Sequence, residues 1–197
     1  MRPLPFVWPY WVLFWAVNLW AFVPEFRIVR DAQKPAGSAD SPDAGSFQVI
    51  VMAGSIAMLL AYPLAWIHAL RMPIAVQSIA FFVGVAALLG GGLLRRHCRR
   101  LLGASFTGDV RARPDQAIVQ TGPYALVRHP AYTAGMLMYV GLGVALGSWG
   151  SAALLLVAGL AAYSYRIVVE ERALVAVVGE PYRQFMQTRR RLIPFIY

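Results

Sequence analysis

The chain has 197 residues, of which 59% are hydrophobic and only 14% charged, and its formal net charge is +9. This composition argues against an ordinary soluble domain and for the membrane class. The single cysteine, Cys98, excludes an intramolecular disulfide and any CxxC metal site.

Five apolar runs reach or approach the length needed to cross a hydrocarbon core, about 20 helical residues. The first, Phe6 to Val23, carries Trp8, Trp11, Trp15 and Trp20 and shows no small-x-small cleavage site before Pro24 and Glu25, so it reads as a retained helix rather than a signal peptide. After it, Asp31 to Ser46 is rich in Gly, Pro, Ser and Asp and reads as a flexible linker with no chemistry of its own. Phe47 to Leu70 and Ile74 to Leu94 form the second and third runs, the third ending near Gly90, Gly91 and Gly92, a triplet suited to tight helix packing. Cys98 follows in "RRHCRR", where it reads as a small residue at a helix end. From Phe106 to Tyr124, turn signals alternate with two short strand-like pieces, Val110 to Ala112 and Ala117 to Gln120, predicting an irregular or hairpin-like excursion. Irregular backbone cannot face lipid, so it must pack on protein or line a solvated cavity. The fourth and fifth runs, Ala131 to Trp149 and Ser151 to about Val169, are separated by so little chain that they form a tight helical hairpin. Beyond Gly179-Glu180-Pro181, Tyr182 to Arg191 reads as an amphipathic helix at the membrane surface.

With five crossings, sixteen of the eighteen Lys and Arg residues fall on one side, leaving only Arg2 and Arg71 on the other. The positive-inside rule then puts the N-terminus outside, and the long loop and C-terminal tail in the cytoplasm. The Arg- and Ala-rich composition is compatible with a bacterial inner membrane. The arginines abut membrane segments and no nucleic-acid recognition module accompanies them, so topology and anionic lipid account for the charge and nucleic acid is not expected as a partner.

The hairpin returns the fifth helix to the cytoplasmic side and brings two distant pieces of sequence together. Arg128, His129 and Tyr132 from "TGPYALVRHPAY" are expected to meet Arg166, Glu170 and Glu171, with Arg166 and Glu170 four apart on one helical face. Each has a plain reading: Arg166 as a snorkelling cation, the two acids as a solvated helix end, His129-Pro130 as a helix start. Gathered in one place, they form a polar pocket at the membrane surface.

These residues carry a resemblance. "TGPYALVRHPAY", followed about thirty-five residues later by "RIVVEERAL" and then by "GEPYRQF" and "RRRLIPFI", resembles the isoprenylcysteine carboxyl methyltransferase family from roughly Leu102 to the C-terminus. The family uses S-adenosylmethionine, released as S-adenosylhomocysteine, to methylate a carboxylate on a lipid-modified acceptor. The resemblance implies a cofactor site at Gln116, Ala117, Ile118, Val119, Tyr124, His129, Pro130, Ala131, Tyr132 and Glu170, with Arg166 as the catalytic residue beside the acceptor, and no metal. Gln116 and Ala131 stand where eukaryotic prenylcysteine enzymes tend to have histidine and serine, a departure that bears on acceptor identity.

The residue types suit that chemistry on their own terms. Glu170 can bind an ammonium or ribose hydroxyls, backbone around Gln116 to Val119 can satisfy an adenine, and Tyr124 or Tyr132 can pack on it. Arg166 can hold a carboxylate by charge-assisted hydrogen bonds. The expected architecture is therefore an all-α integral membrane protein, residues 1–197 forming a single membrane domain. Residues 1–101 supply three helices and the linker. Residues 102–197 supply a methyltransferase core with an irregular cytoplasmic cofactor-binding loop region, the helical hairpin and a C-terminal amphipathic helix. Its partners would be membrane lipids and a lipophilic small-molecule or prenylated acceptor, which enters from the bilayer between the third, fourth and fifth helices. The alternative is a phospholipid or other small-lipid N-methyltransferase. A non-enzymatic membrane or haem protein is the third reading, opposed by the topology, which separates His68 from His97 and His129.

Overall fold

Every regular element among the described residues is helical. The structure, a computed structural model, describes residues 2–32, 45–106 and 118–193. Six α-helices follow one another: α1 (Tyr10–Ala32), α2 (Ser46–Leu64), α3 (Ile74–Leu102), α4 (Pro130–Ala145), α5 (Trp149–Val178) and α6 (Glu180–Thr188). Of these, α2, α3 and α5 are long and apolar enough to cross a membrane. Leu59, Ile79, Phe82 and Val157 are among many large apolar side chains pointing outward from the bundle, as a lipid-facing belt requires. The expected excursion, including the strand at Val110 to Ala112, falls largely outside the described residues, as does most of the linker. Ile118 to Gln120, the described remainder of the second strand-like piece, has no regular structure.

Helix limits depart from the apolar runs for identifiable reasons. α1 continues past Val23, through Pro24, to Ala32. Proline lacks the N–H that would bond the carbonyl four residues back. Here that carbonyl, on Trp20, instead accepts from Arg96 Nη2 at 2.7 Å, and the Arg96 guanidinium lies 3.4 Å from the centroid of the Trp20 ring. α3 extends past Leu94 to Leu102 because Arg95 and Arg96 find partners on α1 rather than ending the helix. The second run breaks at Leu64. Arg71 Nε donates back to the carbonyl of Ala65 at 3.0 Å just beyond α2, and the chain turns through His68–Leu70.

α3 and α4 pair most extensively, and their backbones touch. A Cβ on Gly91 would lie 2.8 Å from the Ala134 carbonyl oxygen, and one on Gly141 2.7 Å from the Leu88 nitrogen. Of the glycine triplet, Gly91 packs tightly on α4 and Gly92 on Trp20 of α1, while a Cβ on Gly90 would meet nothing within 4 Å. At the level of Gly91 and Gly141, α3 and α4 leave no room for a lipid between them. The core between the helices is built from Phe14, Phe81, Leu88, Met138, Leu142 and Leu155. At the far end of the bundle from His129, the α4–α5 turn is fixed by Met72 N donating to Gly147 O (2.9 Å) and Ser148 Oγ donating to Leu70 O (3.2 Å). Gly147 takes φ +66° there, a left-handed conformation that favours glycine.

α2 lies along α5 in antiparallel register. Ser151 Oγ of α5 donates to the Ala61 carbonyl of α2 at 2.7 Å, and Arg166 Nη1 of α5 donates to Ser46 Oγ of α2 at 2.7 Å. Ser46 and Ala61 are as far apart on one helix as Ser151 and Arg166 are on the other, so the pair is pinned at both ends.

Candidate active site

The start of α4 is built to present polar groups. Gly122 turns the chain with φ +58°, packed close to Leu101 and His97, and a 3-10 turn over Gly122–Ala125 buries Tyr124. His129 precedes α4 with φ −125° and ψ 56°, and Pro130 opens the helix, where its missing N–H costs nothing. α5 returns beside it, as the short hairpin requires.

Two distant segments meet here. Tyr132 Oη donates to Glu170 Oε2 at 2.6 Å and accepts from Arg166 Nε at 3.3 Å. Ser46 to Arg166, Arg166 to Tyr132 and Tyr132 to Glu170 thus form one continuous chain of hydrogen bonds. Arg166 is only 3% exposed, whereas the Glu170 side chain keeps 29% of its surface open. The ring of Tyr132 stacks between those of His129 (centroids 5.5 Å apart) and Tyr163 (5.1 Å), and a Cβ on Gly135 would collide with the Tyr163 hydroxyl.

The adjacent acid does something different. Successive helical residues point about 100° apart, and Glu171 turns inward, with 4% of its side chain exposed. Its Oε1 lies 3.2 Å from His129 Nε2 and 3.1 Å from Arg128 Nη2, while its Oε2 accepts from Arg191 Nη2 at 2.8 Å and Nε at 3.1 Å. The pair is not a solvated helix end: Glu171 is the hub of a buried ion cluster.

The tail completes the site. Arg128 N donates to Arg190 O (2.8 Å), His129 N to Arg191 O (2.9 Å) and Thr133 Oγ1 to Leu192 O (2.7 Å). Residues 190–192 run as a strap along the "RHP" turn, beginning with a parallel bridge between Arg190 and Val127, so the segment packs on the site. α6 stops at Thr188, with Tyr182 and Phe185 buried.

A small apolar cluster lies beside this array. Tyr124, Cys98 and Ala131 cluster with Leu94, Leu101, Leu102, Phe106 and Val119. The Tyr124 hydroxyl is buried beside the Cys98 thiol and makes no hydrogen bond of good geometry among the described residues. Burial, followed by the nearby Cys98 and Glu170 groups, pushes its phenol well above the ordinary value, so it remains a donor at physiological pH. An apolar wall, a poorly bonded hydroxyl and a half-open carboxylate suit a nucleoside with a polar amino-acid end. Cys98, near the end of α3, is wholly buried.

A model of the phospholipid methyltransferase family matches residues 79–180. The chain belongs to this family. That match covers both halves of the site, from α3 to the foot of α6. The chain is 32% identical over 136 residues to the protein-S-isoprenylcysteine O-methyltransferase of Schizosaccharomyces pombe, covering 66% of this chain and 58% of that one. It is 29% identical over 115 residues to the protein-S-isoprenylcysteine O-methyltransferase B of Arabidopsis thaliana, covering 57% and 58%. The resemblance read from the sequence is borne out by these relatives, of whose length the chain spans about three fifths. The fold matches that of a eukaryotic intramembrane Ras methyltransferase, isoprenylcysteine carboxyl methyltransferase, with a TM-score of 0.68 at 20% identity, over 98% of this chain and 70% of the other. The likeness extends to the three N-terminal helices, where the sequence carries no motif. It makes this a membrane fold.

Of the expected site residues, Tyr124, His129, Pro130, Ala131, Tyr132, Arg166 and Glu170 come together, Val119 packs against them, and Ile118 is half-buried next in the chain. Gln116 and Ala117 lie outside the described residues. Sequence reasoning missed Ser46, Thr133, Tyr163 and Arg191, and it underrated Glu171. Only the Glu-Glu doublet offered a signal. Among the described residues no cluster of His, Cys, Asp or Glu could hold a metal, and His68 sits at the opposite end of the bundle from His129.

Proposed function

We propose that the protein is an S-adenosylmethionine-dependent membrane methyltransferase acting on the carboxylate of a lipophilic, isoprenylcysteine-like acceptor. The observation that carries the reading is the buried Arg166 guanidinium set one helical turn from the half-open Glu170 carboxylate, with Tyr132 bonded to both. Such a pair offers an anion-holding group and a cation- or hydroxyl-binding group within one bonded array.

When bound, S-adenosylmethionine supplies a methyl carbon made electrophilic by its sulfonium. Glu170 would hold the ammonium or the ribose hydroxyls, and the wall of Val119, Tyr124 and Ala131 would take the adenosyl end. Tyr124 would donate to it through its hydroxyl, and the backbone of Gln116 to Val119 would complete the adenine site. Arg166 would fix the acceptor carboxylate by charge-assisted hydrogen bonds. A carboxylate is already ionised at neutral pH, so no general base is needed. The work of the chain is orientation and exclusion of water, which the aromatic stack of His129, Tyr132 and Tyr163 favours.

The reading includes topology. Five crossings, with α1 and the short α4 joining the three longer spans, leave Arg95, Arg96, Arg128, Arg166 and Arg191 at the site's end of the bundle and Arg71 at the other. This supports a cytoplasmic site and an external N-terminus. α6, with its inner face on Tyr182 and Phe185 and Arg183 exposed, would lie along the membrane surface. The named relatives come from yeast and plants and lend no support to a bacterial membrane.

Methyl transfer from labelled S-adenosylmethionine to a farnesylated cysteine analogue, run beside phosphatidylethanolamine vesicles, tests the function and its runner-up together. Arg166→Ala is expected to lose at least a hundredfold in turnover of the cysteine analogue while binding S-adenosylhomocysteine as wild type does. Equal loss of both, or methylation of the amine lipid alone, overturns the reading.

A further inference from the structure

We propose that Ser46 is a positioning residue for Arg166, through which the second helix sets the carboxylate-binding geometry of the site. The inference rests on the reading of Arg166 given above. It starts from a serine at the very end of what reads in the sequence as an inert linker.

A buried guanidinium carries five N–H groups in one plane and keeps a fixed direction only if some of them are bonded. Arg166 is anchored from two sides. Nε donates to Tyr132 Oη on α4, and Nη1 donates to Ser46 Oγ on α2 at 2.7 Å. Tyr132 is itself committed to Glu170 at 2.6 Å, so one anchor ties the arginine to that carboxylate. Ser46 ties it to the N-terminal half of the chain. Ser46 is wholly buried and sits in the first turn of α2, directly after Gly45 at φ +71°. Its hydroxyl is therefore only one rotatable bond away from a buried helix backbone.

The far end of the same helix pair shows why the placement holds. Ser151 Oγ bonds the Ala61 carbonyl at matching register, so α2 cannot slide along α5 without breaking both polar contacts. Ser46 is thus delivered to the guanidinium by the whole length of α2. Two anchors on different helices fix the plane of the fork, and the plane decides whether a carboxylate is met by two N–H groups or by one. Alanine at 46 removes the hydroxyl that accepts from Nη1. Threonine keeps the hydroxyl.

The test uses full-length protein in detergent or nanodiscs, a farnesylated cysteine analogue as acceptor and S-adenosylhomocysteine as cofactor probe. Ser46→Ala is expected to lower acceptor kcat/KM about tenfold, the size of one hydrogen bond to a charged group. Affinity for S-adenosylhomocysteine should stay within about twofold, and Ser46→Thr should recover most of the loss. Acceptor affinity measured in the presence of S-adenosylhomocysteine should be no weaker in Ser46→Ala/Arg166→Ala than in Arg166→Ala alone. Unchanged acceptor kinetics, an equal loss of cofactor affinity, or a further tenfold loss in the double variant overturns the role of Ser46. A wild type that methylates no carboxylate acceptor, or an Arg166→Ala variant with normal turnover, overturns the Arg166 reading and this inference with it.

Discussion

Glu170 and Glu171 stand next to each other and are expected to fail in opposite ways. Glu171 is enclosed by Arg128, His129 and Arg191, so Glu171→Gln leaves the buried Arg128 guanidinium and the partly exposed Arg191 without their counter-charge. Breaking such a cluster costs on the order of 3 kcal/mol, and thermal unfolding in detergent should show a fall of several degrees. Glu170 has 29% of its side chain open and one strong bond, from Tyr132. Glu170→Gln should unfold near the wild-type temperature and lose S-adenosylhomocysteine affinity by calorimetry. The reverse pattern would exchange their roles. The doublet is visible in the sequence, and so is its convergence with "RHPAY". What the sequence does not reveal is which acid faces inward, because that depends on Arg191, a tail residue whose path follows from backbone bonds rather than from any hydropathy pattern.

At the scale of elements, the packing of α3 on α4 turns on which member of the triplet Gly90, Gly91 and Gly92 is substituted. A Cβ on Gly91 would lie 2.8 Å from the Ala134 carbonyl oxygen and 3.0 Å from the Met138 nitrogen, and a backbone cannot yield without separating the helices. A Cβ on Gly90 would meet nothing within 4 Å. Gly91→Ala is therefore expected to destabilise by about 1–3 kcal/mol. Gly90→Ala should be neutral or stabilise by about 0.5–1 kcal/mol through helix propensity alone. Melting temperatures of the two variants check this, and equal effects would show that α3 does not seat on α4 through Gly91. The helix pair and its small-residue face were legible from apolar length and glycine content. The true helix ends were not. α1 outlasts its apolar run because Arg96, far along the chain, satisfies the carbonyl that Pro24 leaves open, and no local rule anticipates a donor from another helix.

Over the whole molecule, the "RHPAY" turn is held from both sides of the sequence. From the N-terminal side, Arg95 Nη1 donates to the Ala131 carbonyl at 2.9 Å while its Nε and Nη2 bond Glu25 of α1 at 2.7 and 2.6 Å. From the C-terminal side, the carbonyls of Arg190, Arg191 and Leu192 receive the donors of Arg128, His129 and Thr133. The apolar helices set the distance between these clamps, but the last contacts are polar. Removing residues 190–197 should therefore leave helix content, read by circular dichroism, nearly unchanged, because α1 to α6 all end before the cut. It should nonetheless lower S-adenosylhomocysteine affinity at least tenfold, since His129 and Tyr132 lose the strap that sets the start of α4 and Glu171 loses Arg191. Glu25→Gln weakens the opposite clamp without deleting it, because Arg95 can still reach the Ala131 carbonyl, and a smaller loss is expected. If truncation left cofactor affinity intact, the tail would be a bystander, and the Arg95–Glu25 clamp would suffice to hold the start of α4.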